Sequence, residues 1–294
     1  MTDFCIGTAQ FGMNYGIANK TGQPTQDEID QIVKYAVDHG IMYFDTAQSY
    51  GKSELNLGNA FGKLKNSNNI NVVSKLSPSI KKNSIDSIIK SVNLSLEKLN
   101  INYLYCFMAH RLEELQSKIF LSALDILKKN GSILKSGVSV YTPDEAFIAL
   151  ENPYTEILQI PLNILDRRWI DLGIINNAKE KNIQLFFRSI FLQGLIFLEN
   201  DDLITSNMSW AHPFLIQFRK IVDELSVAPI ELTFRILSSI SGKNVIIMGI
   251  DSLEQLQSNI KLINSNDIDL DIIDSWWEKI PEFPEKLLNP MLWS

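Results

Sequence analysis

Four residues of this chain have side chains that could act on one another: Asp45, Tyr50, Lys75 and His110. A phenol, with a free pKa of about 10, is a poor proton donor at neutral pH, so its use at a reacting centre requires a cation nearby. Lys75 ends the apolar run 70–75, His110 ends the run 103–110, and Tyr50 follows Asp45, which closes the run 42–45. The chemistry open to such a set is proton donation by a phenol beside an ammonium that a carboxylate can hold. Met singly, each has a plainer reading: Asp45 as a turn former, Tyr50 as a half-buried loop aromatic, Lys75 as a surface residue with a buried stem. Together, at the ends of successive strand-like runs, they read as one site. The other two histidines read as structural, His39 at a helix end where a cation suits the dipole and His212 beside a proline in a loop.

The elements that must gather these residues are also legible. Strand-like runs alternate with helical patterns throughout, the signature of repeated βα units. Eight strands are counted, over 4–8, 42–45, 71–75, 101–110, 134–140, 156–160, 184–189 and 245–248. Helical patterns occupy 53–63, 84–99, 121–129, 172–181, 214–225, 230–240 and 253–262. Thr25-Gln26-Asp27-Glu28 forms a capping box opening a helix that Gly40 terminates, and Thr142-Pro143 opens another. The expected fold is α/β, a (β/α)8 TIM barrel in one domain over residues 1–294, with an irregular segment over about 267–294 capping it. A doubly wound open sheet competes, but no Gly-x-Gly-x-x-Gly occurs among the fourteen glycines.

A chain of 294 residues suits one barrel of about 250 residues with insertions. Hydrophobic residues at 45% and charged residues at 21% are enough for a sizeable core without metals or disulfides. A net charge of -7 without a clustered basic surface argues against a nucleic-acid partner. Cys5 and Cys106 both lie in apolar runs, as free core thiols of a reducing cytoplasm do. No stretch approaches about 18 uncharged apolar residues, and the start lacks a basic leader, so a cytoplasmic protein without membrane partners is expected.

With its spacing, the set Asp45, Tyr50, Lys75 and His110 resembles the catalytic four of the aldo-keto reductases. The resemblance runs over nearly the whole chain. It is carried by Gly7-Thr8 with Phe11-Gly12, Phe44-Asp45-Thr46-Ala47-x-x-Tyr50-Gly51, Ser53-Glu54 with Leu57-Gly58, Ser74-Lys75, Ala109-His110-Arg111, Gly137-Val138-Ser139, Gln159 with Asn163, Arg188-Ser189-x-x-Leu192-x-Gly194, and Met248-Gly249. It implies reduction of an aldehyde or ketone by hydride from a nicotinamide cofactor, with Tyr50 donating the proton, Lys75 lowering its pKa, Asp45 holding Lys75, and His110 orienting or polarising the carbonyl. The chemistry is consistent, since charge gathers on the carbonyl oxygen as it is reduced.

The resemblance further implies a cofactor surface of Gly7, Thr8, Asp45, Ser139, Gln159, Arg188, Ser189, Leu192, Gly194, Gly249, Gln255 and Asn259. Ser139 and Gln159, with Asn163 a weaker candidate, would hold the carboxamide, and the guanidinium of Arg188 would stack where many members carry an aromatic. Family habit favours NADPH modestly over NADH. The loop after the eighth strand opposes this with Gly249-Ile250, Gln255, Asp251 and Glu254 where a positive clamp is common, and Val140 stands where an asparagine is common. Tyr15, Gln48, Met108 and Arg111 are expected on the substrate rim, whose polar groups favour a sugar-like small carbonyl compound. No metal is expected, because one histidine without clustered partners cannot fill a zinc shell. The alternative is a nicotinamide-binding regulatory or sensor subunit that keeps the reductase barrel. A hydrolytic barrel using Asp45 and Glu54 is a weaker third reading.

Overall fold

Eight parallel strands close into a barrel in chain order: β1 (Asp3–Gly7), β2 (Tyr43–Asp45), β3 (Asn71–Lys75), β4 (Leu104–Ala109), β5 (Ile133–Ser139), β6 (Ile157–Pro161), β7 (Gln184–Arg188) and β8 (Asn244–Gly249). This is the expected (β/α)8 barrel. The structure is a computed structural model that describes residues 3–65, 69–79, 84–205, 207–264 and 270–293. β8 closes the ring on β1, from Asp3 opposite Val245 to Gly7 opposite Gly249. A helix follows each strand or its loop, beginning with Gln26–Asp38, whose Thr25 and Glu28 cap each other reciprocally and after which Gly40 turns the chain at φ +80°.

Side chains alternate along each strand, so one set fills the barrel and the other meets the helices. The interior set includes Cys5, Val73, Cys106, Met108, Ile157, Phe186, Val245 and Ile247. The outward set, among them Ile6, Phe44, Val72, Phe107, Leu158 and Ile246, packs under Ile29, Ile32 and Val33 of the first helix and their counterparts. Both cysteines are free and buried in the interior set.

A second apolar cluster lies beside the mouth of the barrel, because its members include Ile164, Leu165, Leu192 and Leu195 from the loops after β6 and β7. The segment expected to be irregular contributes to it as helices, Leu270–Lys279 and Glu285–Leu288. Trp276 is fully buried there, and its indole N–H donates to the Ile164 carbonyl at 3.0 Å. The prolines fall at helix edges, Pro284 as an N-cap and Pro290 opening a short turn, which is where proline is compatible with helix. His212 likewise opens the helix His212–Leu225 and does not lie in a loop.

Candidate active site

Because side chains alternate, stepping two residues up from the interior Tyr43, Val73, Ile157 and Phe186 reaches Asp45, Lys75, Gln159 and Arg188. His110 follows the last residue of β4. Lys75 and Asp45 are only 1% and 5% exposed. The Lys75 ammonium donates to both carboxylate oxygens of Asp45 at 2.7 Å and to the Thr46 carbonyl at 2.9 Å, so its three donors are used. Gln159 Nε2 donates to Asp45 Oδ1 at 2.7 Å, which ties β6 to the pair.

Tyr50 arrives on the turn after β2, and glycines let that turn sit where it does. A Cβ on Gly12 would lie 1.8 Å from the Tyr50 carbonyl oxygen, and one on Gly51, at φ +54°, would lie 2.2 Å from the Gly12 carbonyl. The two backbones cross in contact that only glycine permits. The Lys75 Nζ stands 5.2 Å from the centre of the Tyr50 ring, and the His110 ring meets the phenol edge to face at 6.2 Å.

The electrostatics differ from the expectation in one respect. Burial, followed by the charge of Asp45, pushes the Tyr50 phenol well above the usual range, with Arg188 opposing. The lowering assigned to Lys75 does not prevail, because its ammonium is matched by Asp45 at contact distance. Tyr50 therefore keeps its proton at neutral pH. Burial, then the charges of Lys75, Arg188 and Arg111, lowers His110 to about 3, so its imidazole is neutral. Its buried Nδ1 has no partner among the described residues.

Asp45, Tyr50, His110, Gln159 and Arg188 open on a cavity of about 730 Å³, with Lys75 buried behind its wall, which also includes Gly7, Thr8, Ser139, Ser189, Gly194, Gly249, Gln255 and Asn259. Tyr15 lines it as well, its phenol pushed up to about 12 by burial and then by Tyr50. The Arg188 guanidinium carbon stands 4.5 Å from the centre of the Tyr141 ring, and the group donates to Ser139 Oγ, Ser189 Oγ and the Val140 carbonyl at 3.2, 3.3 and 2.9 Å. One face of its guanidinium is thus covered by a protein ring. Gln159 Oε1 is buried without a partner in this wall, an acceptor suited to the N–H of a carboxamide.

Leu192, Gln48, Met108 and Arg111 do not line the cavity. Leu192 is buried in the second apolar cluster. Gln48 is held away by its own bonds, donating to Ser91 and Ser95 hydroxyls at 3.2 and 3.1 Å and accepting from the Ser77 N–H at 2.9 Å. Met108 points into the barrel interior below, and Arg111 is exposed at the start of the turn Leu112–Leu115. Asn163 caps the Leu165 N–H at 2.9 Å outside the cavity. Among the described residues no cluster of His, Cys, Asp and Glu is placed to hold a metal ion, and no helix is long and apolar enough to cross a membrane.

The model of the aldo/keto reductase family matches residues 3–278. The chain belongs to that family. It is accordingly an NAD(P)H-dependent oxidoreductase. The D-arabinose 1-dehydrogenase of Saccharomyces cerevisiae (strain ATCC 204508 / S288c) is 27% identical over 274 residues, covering 84% of this chain and 80% of the yeast protein. In fold the chain is similar to aldo-keto reductase AKR11C1 from Bacillus halodurans in its holo form, with a TM-score of 0.73 at 17% identity over 96% of this chain and 93% of that one. It is also similar to the thermostable aldo-keto reductase Tm1743 in complex with the inhibitor epalrestat, with a TM-score of 0.69 at 20% identity over 94% of each chain.

In this reductase the cavity wall also includes Gln10, Asn19, Tyr141 and Met291, which sequence reasoning passed over. Tyr141 stands two residues beyond Ser139, so extending the strand-end rule by one turn of loop would have found it. Met291 had no local signal, since only the return of the C-terminal segment across the mouth brings it there.

Proposed function

We propose that the enzyme reduces an aldehyde or ketone to an alcohol, with Tyr50 as proton donor, on a small and sugar-like carbonyl compound. The observation that carries this is the single cavity onto which Tyr50 and His110 open above the buried Asp45–Lys75 pair. The residues fit a nicotinamide dinucleotide: Gln159 Oε1 is an unmatched acceptor for its carboxamide, and Gly7 and Gly249 leave the wall bare of side chains. When bound, that group supplies the hydride.

Tyr50 holds a proton at its hydroxyl until the carbonyl oxygen gains charge and takes it. Lys75, fixed by Asp45, stabilises the phenolate left behind. Neutral His110 orients the carbonyl by hydrogen bonding without adding a charge that would ionise Tyr50 in advance. Tyr15 and Tyr141 form walls that pair apolar faces with hydroxyls, which suits a polyhydroxylated substrate, and similarity to the yeast D-arabinose 1-dehydrogenase favours the same class. Gly194, Ser189, Gln255 and Asn259 are proposed to line the path of the dinucleotide, and the whole chain to act as one unit.

The test is turnover by the pure protein with either reduced dinucleotide across aldehydes, ketones and aldoses, followed by loss of nicotinamide absorbance. Turnover of aldoses or hydroxy-aldehydes is expected. Tight dinucleotide binding with no turnover across the panel would replace this reading with a sensor role.

A further inference from the structure

Among the described residues, the cavity wall facing Asp251 differs in charge from the wall at Tyr50. In a closed ring of eight strands, β4 and β8 stand opposite each other, so His110 after β4 and Asp251 after β8 lie across the mouth. The carboxylate of Asp251 is met by neutral amides. Asn19 Nδ2 donates to Oδ1 at 3.4 Å and Gln255 Nε2 to Oδ2 at 3.5 Å, both near the limit of a hydrogen bond. Gln255 Oε1 accepts the Asp251 N–H at 2.9 Å, which fixes the residue at the start of the helix Leu253–Asn264. Among the described residues no Lys, Arg or His makes an ion pair with Asp251.

The other cations of the wall are engaged elsewhere. Lys20 is bound to Asp202 at 2.9 Å, and Arg188 to Ser139, Ser189 and the Val140 carbonyl. Glu199 adds a further acidic group to the same wall, where Lys20 and Asp202 balance each other. On the nicotinamide reading above, a dinucleotide with its carboxamide at Gln159 lies along this wall with its adenosine half at Asp251, Gln255 and Asn259, and there the two forms of the cofactor differ. A ribose diol donates hydrogen bonds to a carboxylate, whereas a 2′-phosphate brings nearly two further negative charges.

We propose that this wall selects the cofactor with a free 2′-hydroxyl: Asp251 accepts from the adenosine ribose and repels a 2′-phosphate, so the enzyme takes NADH in preference to NADPH. This rests on the nicotinamide reading above and runs against family habit. It makes Asp251 a specificity-determining residue.

The experiment is titration of the full chain with NADH and with NADPH by calorimetry or tryptophan quenching, at low and high salt, for wild type, Asp251→Asn and Asp251→Ser. Wild type is expected to bind NADH about tenfold or more tightly than NADPH. Both variants should narrow that ratio to about threefold or less, mainly by tightening NADPH, and salt should narrow it in wild type but not in the variants. Equal binding of the two by wild type, tighter NADPH, or a ratio unmoved in both variants overturns the proposal while leaving the reductase reading intact. Failure of both dinucleotides to bind overturns both.

Discussion

Replacing Lys75 by methionine separates what the buried pair does for folding from what it does for chemistry. The ammonium touches both oxygens of Asp45 at 2.7 Å and stands 5.2 Å from the centre of the Tyr50 ring. At an effective dielectric constant of about 20, a unit charge at that range favours a phenolate by on the order of 3 kcal/mol. Asp45 cancels part of this, so kcat/KM should fall about 10- to 100-fold. Asp45, left buried and unmatched, should destabilise the fold by about 3–5 kcal/mol. That lowers Tm by roughly 10 °C for a chain of this size. The double variant Asp45→Asn with Lys75→Met removes the stranded charge and should recover most of the stability while remaining slow. Thermal unfolding and steady-state kinetics on wild type, Lys75→Met and the double variant read both effects. A Lys75→Met enzyme with wild-type kcat/KM, or a double variant that regains activity along with stability, would refute the electrostatic role of Lys75.

Three further outcomes follow from the site. His110 is lowered to about 3, so the unfolded chain binds its proton first as pH falls. Stability from this group is whole above about pH 6.5 and is lost toward pH 3, and denaturant melts of wild type should lose about 2 kcal/mol more than His110→Asn between pH 8 and pH 5. Gly12→Ala forces a Cβ onto the Tyr50 carbonyl, so kcat should drop by about 100-fold, with the damage seen in kcat before KM. Gln159→Leu removes both the donor to Asp45 and the free acceptor, and should weaken dinucleotide binding about tenfold in a calorimetric titration.

Much of the fold was legible because its signals are local. Apolar strand-like runs that alternate with helical patterns, and caps such as Thr25–Glu28, mark the βα units, and strand ends in a parallel barrel have one place to go. This is why Asp45, Lys75 and His110 could be placed together from spacing. Gln48 and Arg111 sit at equally suggestive loop positions, but which way a loop side chain turns depends on partners such as Ser91 and Ser95, forty or more residues distant. Met108 shows the limit of parity, since a strand's interior residue can lie one layer below the cavity. The upward direction of the Tyr50 shift was hidden for a related reason: burial is a property of the assembled wall, and it outweighs a lysine whose charge Asp45 already matches. The helical C-terminal segment was obscured by its prolines, which mark helix edges and give no sign of the Trp276 contact that makes the helices worth forming.

Tyr50→Phe tests the central claim most directly, because it deletes one hydroxyl and keeps the ring that packs against His110. At saturating dinucleotide the variant should reduce its best aldehyde about 100- to 10,000-fold more slowly, while its dinucleotide Kd stays within about threefold of wild type. A phenylalanine enzyme that turns over at the wild-type rate would contradict the assignment of the proton to Tyr50.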